Sequence, residues 1–251
     1  MRDAIRLEFL GAEARLTLDR PAQDNALTLP DLQRLRAAIA EAAARPEVRV
    51  LRLRAEGRTF CAGRAPQPGA PVPQGPQPPA TAEALRARLV APILEVYGAL
   101  HALDIVSVAE VQGDAHGLGC ALVSACDIAL AASTARFSLP EMAKDLPPTL
   151  ALSALAHKVH PKAAASLVLG LATLDALGAL GAGLVGEVLA PEALRGRADA
   201  LVAQLAERHP LAIATVKRYL RAAQSPDQAL HAELAASLIS GAMSAIQAGK
   251  A

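Results

Sequence analysis

Two glycine-punctuated turns hold the residue types best suited to chemistry in this chain. The first is Phe60-Cys61-Ala62-Gly63-Arg64 and the second Gly113-Asp114-Ala115-His116-Gly117-Leu118-Gly119. Each stands where a strand-like run gives way to the next element. Glycine there admits positive φ and close approach of a ligand, and the amides at a helix start are unpaired within the helix and carry partial positive charge. Two such amides converging on one point make an oxyanion hole. Either turn alone reads equally as a tight turn and nothing more. Cys61 and Cys120 lie in or beside these turns, yet no local pattern gives either a partner histidine, so packing is the favoured role for both. The chain has no phosphate-binding P-loop, dinucleotide fingerprint or His-Glu-x-x-His helix.

The elements that must position these turns follow from periodicity. Ala14 to Leu18 alternates like a strand and is broken at Asp19-Arg20-Pro21. Thr28 or Asp31 can cap a helix from about Pro30 to Ala44, with Leu32, Leu35 and Ile39 near one face. Val48 to Arg54 alternates apolar residues with arginines, which predicts a strand with one apolar and one wet face. Strand, helix, strand is the start of an α/β fold. From Arg64 to Pro79, seven prolines and two glycines mark a surface loop. Thr81 to Leu103 reads as helix, with Leu85, Leu89, Ile93, Val96 and Leu100 on one stripe, and Ile105 to Val111 as a buried strand. A short helix near Cys120 and a strand at Ile128 to Ala132 come next. Beyond Pro147 the pattern is mainly helical, interrupted by a strand-like Gly186 to Leu189.

Taken in order, these segments resemble the crotonase (enoyl-CoA hydratase/isomerase) family. The resemblance rests on Asp19-Arg20-Pro21-Ala22-Gln23-Asp24-Asn25-Ala26-Leu27, then Phe60-Cys61-Ala62-Gly63, Gly117-Leu118-Gly119-Cys120, Cys126-Asp127-Ile128, Phe137-Ser138-Leu139-Pro140-Glu141, and Gly183-Leu184-Val185. It spans about residues 14 to 225. It implies a ClpP/crotonase-like spiral of ββα units over residues 1–190 and a helical region over 191–251 used in assembly as a homotrimer or a hexamer of two trimers. The implied partner is an acyl-CoA thioester, with coenzyme A arriving as part of the substrate and no prosthetic group or metal. Carried over position by position, substrate contacts fall on Ala62, Gly63, Arg64, Gly117 and Leu118, and the two oxyanion donors are the backbone amides of Arg64 and Leu118. Leu118 stands where the family usually has glycine, so its β-carbon is expected to narrow the pocket or bar a positive φ. The Arg64 side chain, usually a small residue, is available to cover the thioester or pair with a substrate carboxylate.

Acid–base chemistry is where the chain departs from the family. Hydratases use two glutamates on one water, one to activate it and one to deliver a proton. The first falls on Ala121, which can transfer nothing, and the second on Glu141, which is present. A single carboxylate beside an oxyanion hole suits removal of a proton from Cα and its return at Cγ, the double-bond shift of an enoyl-CoA isomerase. Hydration, hydrolysis, decarboxylation or thioester binding with weak catalysis are the alternatives. His116 with Asp114 is a possible auxiliary acid. Asp145, if helical, shares a face with Glu141, though it reads better as surface charge. Lys217 and Arg218 are similar to a lysine the family places near the CoA phosphates, and surface solvation explains them as well.

Composition bounds the rest. The 251 residues are 53% hydrophobic but only 2% aromatic, so the core must be built from small aliphatic contacts. A formal charge of +1 gives no field for nucleic acid. Three cysteines outside any C-x-x-C pattern, an amino terminus without a signal-like apolar run and the lack of a membrane-length apolar stretch predict a cytoplasmic protein.

Overall fold

The protein is described here by a computed structural model covering residues 4–65 and 82–223. The first half contains β1 (Ile5–Leu10), β2 (Glu13–Leu18), α1 (Leu29–Ala43), β3 (Val50–Ala55), α2 (Ala82–Leu85), α3 (Ala91–Ala102), β4 (Val106–Val111), β5 (Ala115–His116), α4 (Leu118–Ala125) and β6 (Ile128–Ala132). The second contains β7 (Arg136–Ser138), α5 (Thr149–Leu155), α6 (Pro161–Val168), β8 (Thr173–Asp175), α7 (Ala176–Gly181), β9 (Glu187–Leu189), α8 (Pro191–Ala206) and α9 (Pro210–Ala222). A six-stranded sheet runs in the order β1-β2-β3-β4-β6-β9, and a three-stranded sheet in the order β5-β7-β8. Only the β1–β2 pairing of the larger sheet is antiparallel. This is the α/β architecture expected, and β1 is an addition to it. Its alternation, Ile5-Arg6-Leu7-Glu8, lies in a segment whose mixed charges hid the strand.

Alternation decides which face of the sheet each side chain serves. Leu51 and Leu53 of β3 and Ala109 and Val111 of β4 face the main core, which α1, α3 and α4 close with Leu32, Leu35, Ile39, Val96, Leu100 and Leu122. Helix α1 begins at the expected place because Thr28 and Asp31 cap it jointly. The Thr28 hydroxyl accepts the Asp31 amide at 3.4 Å while the Asp31 carboxylate accepts the Thr28 amide at 2.8 Å. The α3 stripe is buried at Ile93, Val96 and Leu100, but Leu85 is exposed. The chain is in a wider π-type turn from Arg86 to Val90, which shifts the residues before it off the helical register.

The opposite face of the sheet differs from the sequence reading. The arginines of β3 were expected to face water, yet α8 lays Leu194, Ala198, Leu201 and Val202 across Val50, Val106, Val108 and Leu130. Arg52 is therefore enclosed, at 1% exposure. It survives there because acids converge on it. Glu110 accepts from Nε at 2.7 Å, Asp199 of α8 accepts from Nη1, and Glu13 lies at 3.7 Å. Glu13 in turn accepts two bonds from Arg15, at 2.8 and 2.9 Å. Removing Arg52 leaves Glu110, itself 5% exposed, desolvated and without this partner. Arg52→Ala is therefore expected to lower unfolding stability by about 3–5 kcal/mol, read as a fall in the urea midpoint.

Lys217 of α9 is also interior, which corrects the surface-solvation reading. Its ammonium donates to the Ile105 carbonyl at 2.8 Å and to Asp127 at 2.6 Å, and the residue is 6% exposed. Arg218 pairs with Asp104 at 3.2 Å. No helix among the described residues is long and apolar enough to cross a membrane. Most of the proline-rich loop, residues 66–81, and the end of the expected assembly region, residues 224–251, lie outside the described residues.

Candidate active site

The segment from Asp19 to Leu27 builds the first turn's support. Asp24 and Asn25 take left-handed φ of 49° and 53°, and Asn25 is fully buried. Its side-chain oxygen accepts the Arg20 amide at 2.8 Å, and its nitrogen donates to the carbonyls of Glu56 and Thr59, both at 2.8 Å. Arg20 reaches over to Asp31 in a two-pronged pair at 2.8 and 2.9 Å. The Asp24 carbonyl accepts the Ala62 amide at 2.9 Å. Leu27 donates to the Gly63 carbonyl and accepts from the Ala65 amide, each at 2.9 Å, forming a parallel bridge opposite Arg64. In such a bridge the residue between the two bonded neighbours turns its own N–H away from the partner strand. The Arg64 amide thus faces away from Leu27, and no described residue accepts from it.

The second turn is fixed by β5. Ala115 bridges Cys61, whose carbonyl accepts the His116 amide at 2.9 Å, and β5 pairs with β7 through Ala115↔Phe137 and His116↔Ser138. Gly117 donates to the Ser138 carbonyl at 2.9 Å and adopts φ 52°, ψ −117°. That conformation strains any residue with a β-carbon. Leu118 follows as the first residue of α4. The positive φ falls on Gly117, so Leu118 takes an ordinary helical conformation, and its β-carbon bars nothing. Its amide heads a helix of eight buried residues and has no acceptor among the described residues. Helix α4 can approach this closely because residue 119 is glycine, where a β-carbon would sit 2.2 Å from the Cys61 carbonyl oxygen.

The two turns meet. Gly63 has φ 103°, and a β-carbon there would stand 3.0 Å from the His116 carbonyl oxygen and 3.7 Å from the Leu118 nitrogen. Glu141, carried three residues beyond β7 at the start of a 3-10 turn (Pro140–Lys144), arrives from the other side. A β-carbon on Gly117 would lie 2.7 Å from Glu141 Oε1. Glu141 Oε2 is buried and has no hydrogen-bond partner. Ala62, Gly63, Arg64, Gly117, Leu118 and Glu141 all line one cavity of about 690 Å³, and Glu141 is the only carboxylate among its described lining residues.

The family model for "Enoyl-CoA hydratase/isomerase" matches residues 12–245. The chain belongs to that family. It is 32% identical over 221 residues to the 2,3-dehydroadipyl-CoA hydratase of Escherichia coli K12, covering 88% of this chain and 82% of that protein. It is 29% identical over 196 residues to enoyl-CoA hydratase domain-containing protein 3 of Xenopus laevis, covering 77% of this chain but 63% of that protein. Among solved structures, an enoyl-CoA hydratase of Mycobacterium smegmatis superposes with a TM-score of 0.87 at 28% identity, covering 96% of this chain and 91% of that one. The crotonase fold and an acyl-CoA enzyme of the hydratase/isomerase family are therefore established for this chain.

Within this hydratase/isomerase frame, the other expected residues fall as follows. Ala121 is fully buried in α4 and brings no proton-transfer group. His116 and Asp114 do not line the cavity. The imidazole Nδ1 is 2.8 Å from the Ser138 hydroxyl and Nε2 is 3.8 Å from Asp114. Asp145 closes the 3-10 turn with φ 53° and is not on a helical face with Glu141. Cavity residues that the sequence reading did not single out are Tyr97 and Ile93 from α3, Lys144 beside Glu141, and Leu146, Leu150 and Ala151 beyond it. The α3 stripe marked Ile93 as core, but periodicity cannot show which part of a buried face borders a cavity.

Cys61 and Cys120 are fully buried, and burial pushes each thiol up to about 12, with the Glu141 charge adding at Cys120. Cys126, 4% exposed, is likewise pushed up to about 12 by burial first. None is a thiolate at neutral pH, which fits packing. Iodoacetamide at pH 8 is expected to leave all three unmodified in the native protein and to alkylate all three in urea, as counted by intact mass.

Proposed function

We propose that this enzyme shifts the double bond of a 3-enoyl-CoA to the 2 position, with one carboxylate as the proton carrier. The thioester oxygen lies between the Arg64 and Leu118 amides. Glu141 takes a proton from Cα, and the electron pair moves onto the thioester oxygen, where the two amides hold the developing charge. The carboxyl group then returns its proton to Cγ as the pair flows back, leaving the double bond conjugated with the thioester. No water or second acid is consumed. The observation that carries this reading is the buried, unpaired Oε2 of Glu141, the sole described carboxylate of the cavity that both amides border.

Hydration is the second reading, favoured by the printed names of the hydratase relatives. With Ala121 inert, Glu141 would have to take the proton from the attacking water and return it to Cα. Offering 3-hexenoyl-CoA and crotonyl-CoA to the purified protein separates the two. Conversion of the first to 2-hexenoyl-CoA faster than hydration of the second supports isomerisation. Faster hydration that survives loss of Glu141 overturns it.

Assembly as a trimer or hexamer through residues 191–251 belongs to the same proposal. Val216 and Leu220 of α9, 56% and 58% exposed, support a face covered by another copy. The three free thiols support a cytoplasmic setting.

A further inference from the structure

Tyr97 projects from α3 into the cavity wall and is 7% exposed. Ile93, Leu150 and Ala151, which line the same cavity, have side chains of carbon alone. No described residue meets the Tyr97 hydroxyl with a hydrogen bond. Burial raises its pKa well above the usual phenol range, and the nearby charges that add to this belong to Cys120, Glu141 and Cys61. It therefore stays protonated and acts as a donor. Lys144 and the side chain of Arg64 border the same cavity and have no ion-pair or hydrogen-bond partner among the described residues.

The cavity thus holds three side-chain donors without acceptors, against one carboxylate. A thioester carbonyl uses two backbone amides and satisfies none of the three. A purely hydrocarbon acyl chain would also drive water off the Tyr97 hydroxyl and leave it unpaired. We propose that the substrate's acyl group ends in a carboxylate, received by the Tyr97 hydroxyl and the Lys144 ammonium, so that the substrate class is an enoyl-CoA with an anionic far end. This rests on the acyl-thioester reading of the site but not on which reaction follows. The phosphates of CoA share the ligand chemistry and could meet an exposed cation such as Lys144. The enclosed Tyr97 is suited to the acyl chain alone.

Adipoyl-CoA and hexanoyl-CoA are saturated, equal in chain length and differ only at the far end. Calorimetric titration of each into the full-length protein reads the preference without turnover. Adipoyl-CoA is expected to bind about tenfold or more tightly, the size of a hydrogen bond to a charged acceptor. Tyr97→Phe and Lys144→Ala should each remove most of that preference by weakening adipoyl-CoA alone. Equal binding of the two esters, or variants that weaken both alike, overturns the proposal. Repeating the Lys144→Ala comparison with the corresponding pantetheine esters, which lack the nucleotide phosphates, separates the two anion sources. A persistent effect assigns Lys144 to the acyl carboxylate, and a lost effect assigns it to CoA and contradicts the proposal. Failure of isomerisation would leave this affinity ranking intact, whereas failure of either ester to bind would remove the thioester reading itself.

Discussion

Glu141→Gln is expected to lower kcat for 3-enoyl-CoA isomerisation by about 10³-fold, within the usual range for losing a positioned acid–base group, while KM changes little. Glutamine keeps the shape of the side chain but can neither take a proton from Cα nor return one to Cγ. KM should hold because the thioester contacts proposed here are backbone amides, which the substitution leaves in place. The amide fills the same volume as the carboxylate and still places a polar group at the buried Oε2 position. Its thermal stability should therefore stay close to that of the parent, which separates a lost catalyst from a damaged fold. A variant that isomerises at near-parental rate would remove Glu141 from the chemistry.

The second large effect is expected from Gly63→Ala. One methyl group at φ 103°, 3.0 Å from the His116 carbonyl oxygen and 3.7 Å from the Leu118 nitrogen, cannot be accepted without displacing a turn. Either displacement moves the Arg64 and Leu118 amides relative to each other. Loss of one oxyanion donor costs about 10²–10³ in kcat, and that is the fall expected here, together with about 1–3 kcal/mol of stability from the strained backbone. Gly196→Ala is the matched control. It lies in α8, where a β-carbon meets nothing within 4 Å. It should leave kcat unchanged and slightly raise stability.

The parts of the site legible in the sequence were those that constrain the backbone. Gly63 and Gly117 announce themselves because only glycine takes their conformations cheaply, and Pro140-Glu141 and the Asn25 segment follow by their order along the chain. Strand and helix periodicity placed β2, α1, β3, β4 and β6 to within a few residues. What stayed hidden depends on distant partners. The wet face read for β3 becomes interior only because α8, more than a hundred residues later, lies across it and brings Asp199 to Arg52. Lys217 looks like a surface lysine until Asp127 and the Ile105 carbonyl are folded under it. Tyr97 is one polar tip on an apolar stripe, and nothing in its neighbours along the chain tells a core tyrosine from one that faces a ligand. The bar on a positive φ expected at Leu118 does not arise, because the turn puts its strained φ one residue earlier, on Gly117.

The central claim is that one negative charge is gathered by two amides from separate turns. A complex with a saturated acyl-CoA thioester, solved at a resolution that fixes the carbonyl, tests this most directly. The account predicts the acyl oxygen of the thioester within about 2.7–3.1 Å of both the Arg64 and Leu118 nitrogens, with Cα turned toward Glu141. An oxygen bound to only one of these amides, or lodged elsewhere in the cavity with Glu141 remote from Cα, would contradict it.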